Sequence, residues 1–380
     1  MPTIAIAATE IGEIGGINRF VQTIALGFAG RGWNVHCIAT NLKGDHFDAL
    51  RETVCCHDLS TLRLSPKKAF LAAELVNSIR PEILVLNNCA LLHYALPCLH
   101  RSIKPVVVLH SDDSRFYDIA ALFSHRVFRW VAPTVGLVRP FTTYINSRRH
   151  GDIVTIPHAV VEYGPERVRE KLPNSKIAFV GFLGENKGAQ LLPEIFAAVV
   201  RDQPNAFLTI VGEGPLRTTL EKIFLSRRYS NQISFAGAVP HARVYEILRE
   251  TQVLLHPTEI EGFGLILAEA MSCGAVPVVT LLPGITDSIV HHGHSGYLVK
   301  SGDINGFAAA VARILGDEDL FTKMSSEAKT EALRKFSVHD VLDQYERLFS
   351  QTDTRTLLTT RSSFGWYWET SIEVIKRKLR

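Results

Sequence analysis

Residues 253–274 read VLLHPTEIEGFGLILAEAMSCG, and this stretch is the most informative part of the chain. The apolar run that opens it predicts a buried strand. A helical pattern then occupies residues 265–272 and ends at a glycine. Glu261 therefore lies in a glycine-flanked loop between a strand and a helix, and Glu269 lies roughly a turn and a half inside the helix.

The start of this helix has free backbone N–H groups, which form a ready site for a phosphate. Beside that site, the Glu261 carboxylate can bond sugar hydroxyls, and the Glu269 carboxylate can reach a ribose diol. The alternative is a surface acid in a turn together with a solvated helix glutamate, which is the commoner situation for two isolated glutamates. Here the flanking Gly262 and Gly264 and the strand–loop–helix context favour a ligand site.

Composition indicates an ordinary globular protein. The chain has 380 residues, enough for two domains, with 46% hydrophobic and 21% charged residues. A net charge of +3 does not favour nucleic-acid binding. The six cysteines lack zinc-type CxxC spacing, so free thiols in a cytosolic protein are expected. The N-terminus reads as a strand rather than a signal peptide, and no apolar stretch approaches the roughly 20 residues needed to cross a bilayer.

Short apolar runs alternate with helical patterns along the whole chain. The predicted strands are Thr3–Ala8, Asn34–Ala39, Ile83–Leu86, Val106–His110, Val154–Ile156, Lys176–Val180, Ala206–Val211, Ile233–Phe235, Val253–His256, Val276–Val279 and Tyr297–Val299. The predicted helices are Arg19–Ala29, Lys68–Ser78, Leu191–Val200, Pro215–Leu225, His241–Arg249, Leu265–Ser272 and Ile304–Leu315. This alternation predicts an α/β fold with parallel sheets covered by helices.

Two sets of alternating elements predict two Rossmann-like domains that face each other across a cleft. The break falls in the charged stretch 162–174, which contains two prolines and has no strand signal. We therefore expect a first domain over residues 1–165, a second over 166–349, and a helical tail over 350–380. Ligands of such folds bind at the carboxyl ends of the strands, so the cleft is the expected site.

A glycine-rich loop follows the first predicted strand. Gly15 and Gly16 precede a helix there, and paired glycines let backbone N–H groups approach a phosphate or sugar closely. The loop is not GxGxxG, and a simple tight turn explains it equally well.

Comparable corners follow the strands of the second half. Gly181 ends a strand before a loop that presents Lys187, and a lysine there can neutralise a diphosphate, although most lysines are simply solvated. Gly212 precedes Pro215, which is well placed to open a helix, so this corner is either a pocket wall or a turn. The backbone near Val239 can border a nucleobase.

His110 is predicted to end a strand of the first half and to open into the cleft. There it can bond a sugar hydroxyl or assist an acceptor. Asp112 and Asp113 follow it, but no second cluster supports a metal, and the other histidines mostly read as surface residues.

Taken together and in order, these pieces resemble the GT-B glycosyltransferases, and most of all the retaining enzymes of glycosyltransferase family 4. The resemblance runs from about Ile4 to about Phe349. It rests on the motifs HPTEIEGFG (256–264), EAM (269–271), GAVPVV (274–279), VGEGPL (211–216) and GHSGYLV (293–299).

The resemblance implies a nucleotide-diphosphate sugar donor, with a UDP-sugar favoured over a GDP- or ADP-sugar, held mainly by the second domain. Glu269 would bond the ribose, and Glu261 would contact the donor sugar. Lys187 would stabilise the departing diphosphate, and His110 would face the transferred sugar. The other residues implied in donor binding are Gly15, Gly16, Gly181, Gly212, Val239, Gly262, Phe263, Gly264 and Leu265.

The resemblance also implies catalysis without a metal, because protein groups and the helix dipole take over its electrostatic role. Retention is usually attributed to front-face attack, in which the leaving phosphate helps to deprotonate the acceptor. No flanking pair of acid and nucleophile carboxylates is then needed, in contrast to retaining hydrolases.

Two positions depart from the family pattern. Relatives usually have an arginine five residues before the lysine, where this chain has Phe182, so one phosphate-binding cation is missing. Arg19, near the first glycine loop, is the candidate to replace it; otherwise donor affinity is reduced. The asparagine–glycine pair expected after the last strand of the first domain is His158-Ala159 here.

The acceptor is not readable from the sequence, and a glycan or lipid-linked acceptor of the cell-surface polysaccharide or lipopolysaccharide type is expected. Residues 63–68 and the pair Arg148-Arg149 can form a basic patch. The end of the chain combines aromatic residues with a basic segment over 372–380, which suits an anionic membrane surface. Packing of this tail across the cleft is the alternative, so the expected location is the cytoplasm, with possible peripheral contact at the inner membrane face.

Two other classes compete with a sugar-transferring enzyme. A catalytically weak sugar-nucleotide-binding or partner subunit on the same fold would be consistent with Phe182. A nicotinamide-dependent dehydrogenase is disfavoured, because GxGxxG and a suitable acidic ribose partner are missing after the first strand.

Overall fold

The computed structural model describes residues 1–12, 15–40, 47–60, 66–161, 176–227 and 229–352. In the first half the strands are β1 (Thr3–Ala8), β2 (Asn34–Ala39), β3 (Cys55–Asp58), β4 (Ile83–Asn87), β5 (Lys104–Val108), β6 (Arg129–Ala132) and β7 (Ile153–Thr155). The helices of this half are α1 (Gly16–Gly30), α2 (Asp48–Arg51), α3 (Pro66–Ile79), α4 (Ala90–Ala95), α5 (Ser114–Ala120) and α6 (Val135–Thr142).

The second half begins at Lys176 with another set of alternating elements. Its strands are β8 (Lys176–Val180), β9 (Phe207–Val211), β10 (Ile233–Gly237), β11 (Val253–His256), β12 (Val276–Thr280) and β13 (Tyr297–Val299). Its helices are α7 (Leu192–Asp202), α8 (Arg217–Ser226), α9 (His241–Arg249), α10 (Leu265–Ser272), α11 (Ile304–Gly316), α12 (Glu318–Phe336) and α13 (Val338–Phe349).

Each half is built on one parallel, doubly wound sheet, as the alternation of elements predicts. The first sheet has the order β3-β2-β1-β4-β5-β6-β7 and the second the order β10-β9-β8-β11-β12-β13. Apolar residues fill both faces of each sheet, because helices cover both sides. The strand order reverses between β1 and β4 and between β8 and β11, and ligands of such sheets bind near these switch points.

Several predicted elements need correction. β5 ends at Val108, so His110 lies two residues beyond the strand rather than at its end. α8 begins at Arg217, so Pro215 lies in the turn before the helix. The edge strand β3 and the four-residue strand β6 were not predicted, because CCHD is polar and RWVA is too short to show alternation.

The last described helix returns to the first half. α13 packs on α1, and its buried residues Leu342 and Tyr345 belong to the core of the first sheet. Arg31, the residue that follows α1, pairs with Asp343 and Glu346 of α13 at 2.6 Å and 2.7 Å. The sequence-based limits placed these residues in the second domain and gave the crossing to the tail 350–380, most of which lies outside the described residues.

The carboxyl ends of the two sheets face each other and touch through loops and through the start of α6. Thr134 Oγ1 donates to Gly262 O at 3.0 Å, and Gly136 N donates to Gly284 O at 2.9 Å. Across the described parts of the chain, the helices are all too short or too polar to cross a membrane.

Candidate functional site

Glu261 lies in the loop after β11, at the interface between the halves. Its side chain is only 8% exposed. The carboxylate oxygen Oε1 lies 2.6 Å from Lys187 Nζ and 2.9 Å from His256 Nε2. The two sequence-predicted residues Glu261 and Lys187 are therefore brought into direct contact.

The Glu261 carboxyl is ionised at neutral pH. Burial by itself raises its pKa, but the charge of Lys187 and the hydrogen bond from His256 outweigh burial and lower the pKa to about 2. An ionised carboxylate accepts hydrogen bonds and stabilises positive charge, but it has no proton to donate. In this arrangement Glu261 therefore acts as a hydrogen-bond acceptor.

Lys187 reaches Glu261 because the backbone of its loop lies against the loop after β11. Gly188 has φ +68°, and a Cβ there would lie 1.8 Å from Pro257 O. Only glycine fits such a position without displacing the neighbouring backbone. The short helical turn Glu185–Lys187 is held as well, since Asn186 O accepts from the backbone N–H of Glu259 and from Thr258 Oγ1.

The loop from Gly262 to Leu265 leads directly into α10. Gly264 has φ +81° and precedes the first helical residue, Leu265. Gly262 faces the first half so closely that a Cβ would lie 2.1 Å from His110 O. Phe263 is buried against His158 and Phe336, so only its backbone remains to contact a ligand.

Glu269 lies on α10 and is 3% exposed. Its Oε1 lies 2.8 Å from His241 Nε2 and 3.9 Å from Arg19 Nε. Arg19 comes from α1 and also lies over the ring of Tyr245, 5.9 Å from the centroid. Burial, followed by the Glu269 charge, raises the pKa of the Tyr245 hydroxyl, which therefore stays protonated. The Arg19 guanidinium thus extends from the first half to a carboxylate of the second.

His110 is held in a fixed orientation. Its Nε2 lies 2.9 Å from Asn87 Oδ1, and Asn87 Nδ2 donates to Ala7 O at 3.1 Å. The ring also contacts Phe20 and His158, each 5.2 Å away between centroids. Burial lowers the pKa of His110 to about 3, so the imidazole is neutral; its Nε2–H donates to Asn87 Oδ1, and its Nδ1 can accept a hydrogen bond.

The remaining predicted positions lie around the same edge. Gly15, with φ +108°, and the exposed Gly16 begin α1. Gly212 follows β9, where a Cβ would lie 1.9 Å from Gly181 O, so these two glycine corners touch. Val239 is partly buried against the core of the second half. Phe182, in the place of the family arginine, is 54% exposed.

A cavity of about 520 Å³ lies between the halves beside Glu261. Its lining includes Asp112 and Arg139 from the first half and Glu259 and Glu261 from the second, with Gly136 and Gly284 at the contact between them. This space, bordered by both halves and by an ionised carboxylate, is large enough for a sugar unit or a small polar acceptor.

Several contributing residues were not singled out from the sequence. His256 lies at the end of a predicted strand inside the strongest motif, a position that signals a site residue. His241 and Asn87 had no such signal, because their importance depends on Glu269 and His110, which are distant in the chain. Arg149, which belongs to the predicted basic patch, makes its contacts within the protein. It pairs with Asp152, and its Cζ lies 4.6 Å from the centroid of the Trp130 ring.

Two family models match consecutive parts of the chain. The model described as Glycosyltransferase Family 4 matches residues 14–160, and the model described as Glycosyl transferases group 1 matches residues 165–331. The first of these models covers strands β2 to β7, and the second covers strands β8 to β13.

Curated relatives match over shorter stretches. The chain is 31% identical over 163 residues to the N-acetyl-alpha-D-glucosaminyl L-malate synthase of Bacillus anthracis, covering 43% of this chain and 42% of that protein. It is 26% identical over 184 residues to the 2-deoxystreptamine N-acetyl-D-glucosaminyltransferase of Niallia circulans, covering 48% and 47%. These matches span less than half the length of each relative.

Solved structures match almost the whole fold. TarM of S. aureus, solved as a mutant with fondaparinux, α-GlcNAc-glycerol and UDP, has a TM-score of 0.80 at 12% identity, covering 92% of this chain and 100% of that chain. HepE of Anabaena, solved with UDP and glucose, has a TM-score of 0.77 at 16% identity, covering 92% and 100%. The shared fold, the two family models and the motifs around Glu261 agree, and the chain belongs to the glycosyltransferases of family 4 and group 1, with the GT-B fold.

Proposed function

We propose that the protein transfers a sugar, with retention and without a metal, from a nucleotide-diphosphate sugar to a glycan or lipid-linked acceptor. The observation that carries this proposal is the ionised, buried Glu261 held by Lys187 at the interface of the two halves. A lysine–carboxylate pair beside the start of α10 provides a cation for a diphosphate and an acceptor for sugar hydroxyls at adjacent points.

The donor would lie with its ribose on Glu269 and its diphosphate near the start of α10. On donor binding, Lys187 would exchange part of its contact with Glu261 for the phosphate oxygens. Gly15 and Gly16 would approach the phosphates from the first half, and Gly181, Gly212, Val239 and Leu265 would border the nucleotide.

Arg19 is our candidate for the cation that Phe182 does not supply. Its guanidinium already lies near Glu269, 3.9 Å from the carboxylate, so a modest side-chain movement would bring it to a bound phosphate. With Lys187 and the helix start it would provide positive charge for the leaving group, which supports a metal-independent reaction.

Retention would follow from front-face attack. Glu261 is ionised and the pKa of His110 lies far below neutrality, so neither group supplies a proton to the leaving phosphate. In the reaction we propose, the acceptor hydroxyl forms the new glycosidic bond as the bond to the phosphate oxygen breaks, and the leaving phosphate takes the hydroxyl proton. Neutral His110 would hydrogen-bond the transferred sugar.

We favour UDP as the carrier, because the structures of TarM and HepE described above contain UDP. For the acceptor, the cavity beside Glu261 offers Arg139, Asp112 and Glu259, which suit a polar, hydroxyl-bearing molecule. Contact with a membrane surface remains part of the proposal, although the basic segment 372–380 lies outside the described residues.

Calorimetry with UDP, GDP and ADP, without metal and then with magnesium, tests the donor site. We expect UDP to bind without metal and Glu269→Gln to weaken it by about tenfold or more, because a buried carboxylate bond to the ribose is lost. Glu259→Gln is the matched control, since Glu259 is an exposed glutamate of the same region and should leave UDP binding unchanged. If none of the nucleotides binds, the donor proposal is wrong.

Transfer itself is tested with a UDP-sugar panel in the presence of a chelator. The proposal expects donor turnover that survives chelation, a product with the donor's anomeric configuration by NMR, and loss of turnover in Glu261→Gln. Binding of UDP with no turnover on any donor or acceptor would instead favour a partner subunit on the same fold, for which exposed Phe182 is the structural argument.

A further inference from the structure

Two histidines and a glutamate lie together outside the set of residues proposed for donor binding. His291 and His294 are in the loop before β13, and Glu331 is on α12. One potential ligand atom from each lies within 4.8 Å of the other two. The two imidazole rings are 5.2 Å apart between centroids and inclined by 31°.

The loop that presents the histidines is fixed to α12 by hydrogen bonds. Fully buried Ser295 donates through Oγ to Glu331 Oε2 at 2.6 Å and accepts from the His291 backbone N–H at 3.0 Å. Gly293 N donates to Gly296 O at 2.8 Å, which closes the loop. The Glu331 carboxylate is therefore oriented by a second contact, as carboxylate ligands of metals usually are.

His294 has one ring nitrogen that the surroundings leave unused. Within the described residues, its Nδ1 is buried and has no hydrogen-bond partner. Its Nε2 lies 3.7 Å from Glu327 Oε1, one turn before Glu331 on α12. A ring nitrogen free for a metal, with the opposite nitrogen beside a carboxylate, is the arrangement found in carboxylate–histidine–zinc groups.

We propose that His291, His294 and Glu331 form a zinc site that fastens the loop before β13 to α12. Imidazole nitrogen and carboxylate oxygen are preferred zinc ligands, and three protein ligands leave a fourth position for water. Zinc–ligand bonds of about 2.0–2.2 Å require the ligand atoms to draw closer than they lie here, which side-chain rotation at this partly exposed surface allows.

One charged neighbour opposes the metal. Lys335 Nζ lies 3.6 Å from Glu331 Oε1 and competes with a cation for that oxygen. The zinc ion must displace this ammonium group, so removing the lysine should strengthen binding. A variant that binds zinc more tightly tests the proposal well, because a disrupted fold would weaken zinc binding rather than strengthen it.

The site is separate from the predicted catalytic one. The loop enters β13 at its amino end, and Gly296 lies so close to the start of β12 that a Cβ would meet Pro277 O at 2.5 Å. Glu261 and Glu269 lie beyond the carboxyl end of β11 in the same parallel sheet. None of the three zinc ligands is among the residues proposed for donor binding, so the zinc proposal does not depend on sugar transfer.

Calorimetry with zinc chloride on the full, tag-free chain, after chelator treatment, tests the site. We expect one zinc per chain, with about tenfold or greater loss of affinity in both His294→Ala and Glu331→Gln and tighter binding in Lys335→Ala. His339→Ala is the control, because His339 is an exposed histidine that faces Asp343 on α13. Magnesium should not compete, since it prefers oxygen ligands.

A second measurement covers variants that fold poorly. Zinc should raise the melting temperature of the wild type and of His339→Ala by several degrees, but not that of Glu331→Gln, which can still accept the Ser295 hydrogen bond. Equal zinc affinity in wild type, His294→Ala and Glu331→Gln would place the ion elsewhere and overturn the proposal. An absence of binding at millimolar zinc would overturn it as well.

Discussion

The charge of Glu261 is set by Lys187, from the turn after β8, and by His256, at the end of β11. Lys187 and His256 converge on one carboxylate oxygen, and burial removes the water that would otherwise solvate it. A carboxylate in such a place stabilises the folded protein only while it is ionised, since the protonated form loses the attraction to Lys187. The Lys187–Glu261 pair, which we propose for donor binding, therefore also stabilises the folded protein in a pH-dependent way.

We expect Glu261→Gln to lower the free energy of unfolding near neutral pH by up to about 3 kcal/mol, because the folded pKa of about 2 lies below the usual value of 4.5. This contribution is fully present above the unfolded pKa and is lost as the pH falls from 4.5 towards 2. Urea unfolding at neutral pH and at about pH 3 should therefore show the variant and the wild type converging in acid.

Exposed Glu259 provides the control, and Glu259→Gln should follow the wild type at both pH values. A constant difference between Glu261→Gln and wild type across this pH range would show that ionisation of Glu261 does not stabilise the fold.

Gly188 allows a second prediction at a single position. Gly188→Ala places an alanine in a left-handed backbone conformation and puts its Cβ 1.8 Å from Pro257 O. Gly302→Ala also places an alanine at a positive φ, +75°, but its Cβ lies in open space. We expect Gly302→Ala to cost roughly 1 kcal/mol and Gly188→Ala at least about 2 kcal/mol more. Chemical denaturation measures both, and equal losses would mean that the loop of Lys187 moves away freely.

Sequence reasoning reached some of these residues and not others for a physical reason. Glu261 and Lys187 belong to local patterns, a glycine-flanked loop and a strand–loop–helix corner, which are visible in a short window. His241 and Asn87 contribute to the site because the fold brings them to Glu269 and His110, which are 28 and 23 residues away in the sequence. A local sequence pattern cannot indicate contacts over such separations.

Among the elements, helix α13 has the largest effect on how the halves are connected. It follows α12 after the single residue Ser337, whose Oγ caps it, and it inserts Leu342 and Tyr345 into the core of the first sheet. Helix α13 was not among the helices predicted from the sequence, and its apolar spacing does not indicate which half it covers. The strands β1, β2, β8, β11 and β13 and the helices α9 and α10 were predicted with their observed limits, because each has a clear period and a clear stop.

We expect Leu342→Ala to destabilise the protein by about 2–5 kcal/mol, because Leu342 is buried against Gly27 of α1 and its removal leaves a cavity. Arg347→Ala on the exposed face of α13 should change stability by less than about 0.5 kcal/mol. Thermal unfolding of the two variants compares them directly. Similar small effects in both would indicate that α13 is not part of the first core.

At the scale of the whole molecule, the chain passes between the halves at two adjacent places. Val160 N, at the end of the first half, donates to Phe336 O at 2.8 Å, immediately before α13 leaves the second half. Two neighbouring crossings are suited to a hinge, since bending there moves each half as a unit. Among the described residues, the contacts between the halves at the cleft include Thr134 with Gly262, Gly136 with Gly284, and Arg19 with Glu269.

Glycine at 262 is what lets the halves approach this closely. A Cβ there would lie 2.1 Å from His110 O and 2.9 Å from Ser111 N, both backbone atoms of the opposite half. We expect Gly262→Ala to open the cleft, because moving the halves apart costs less than distorting either core. The melting temperature should stay close to that of wild type, while small-angle scattering should show a larger radius of gyration.

Transfer by Gly262→Ala should fall by about a hundredfold, since a displacement on the order of 1 Å misaligns His110 and Glu261 across the cleft. The exposed Gly151, where a Cβ meets nothing, gives the control Gly151→Ala, which should match wild type in scattering and transfer. If Gly262→Ala has the same radius of gyration as wild type, the loop around residue 262 has deformed and the cleft has not opened. A larger radius with full transfer would show that the closed arrangement is not the one in which the reaction occurs.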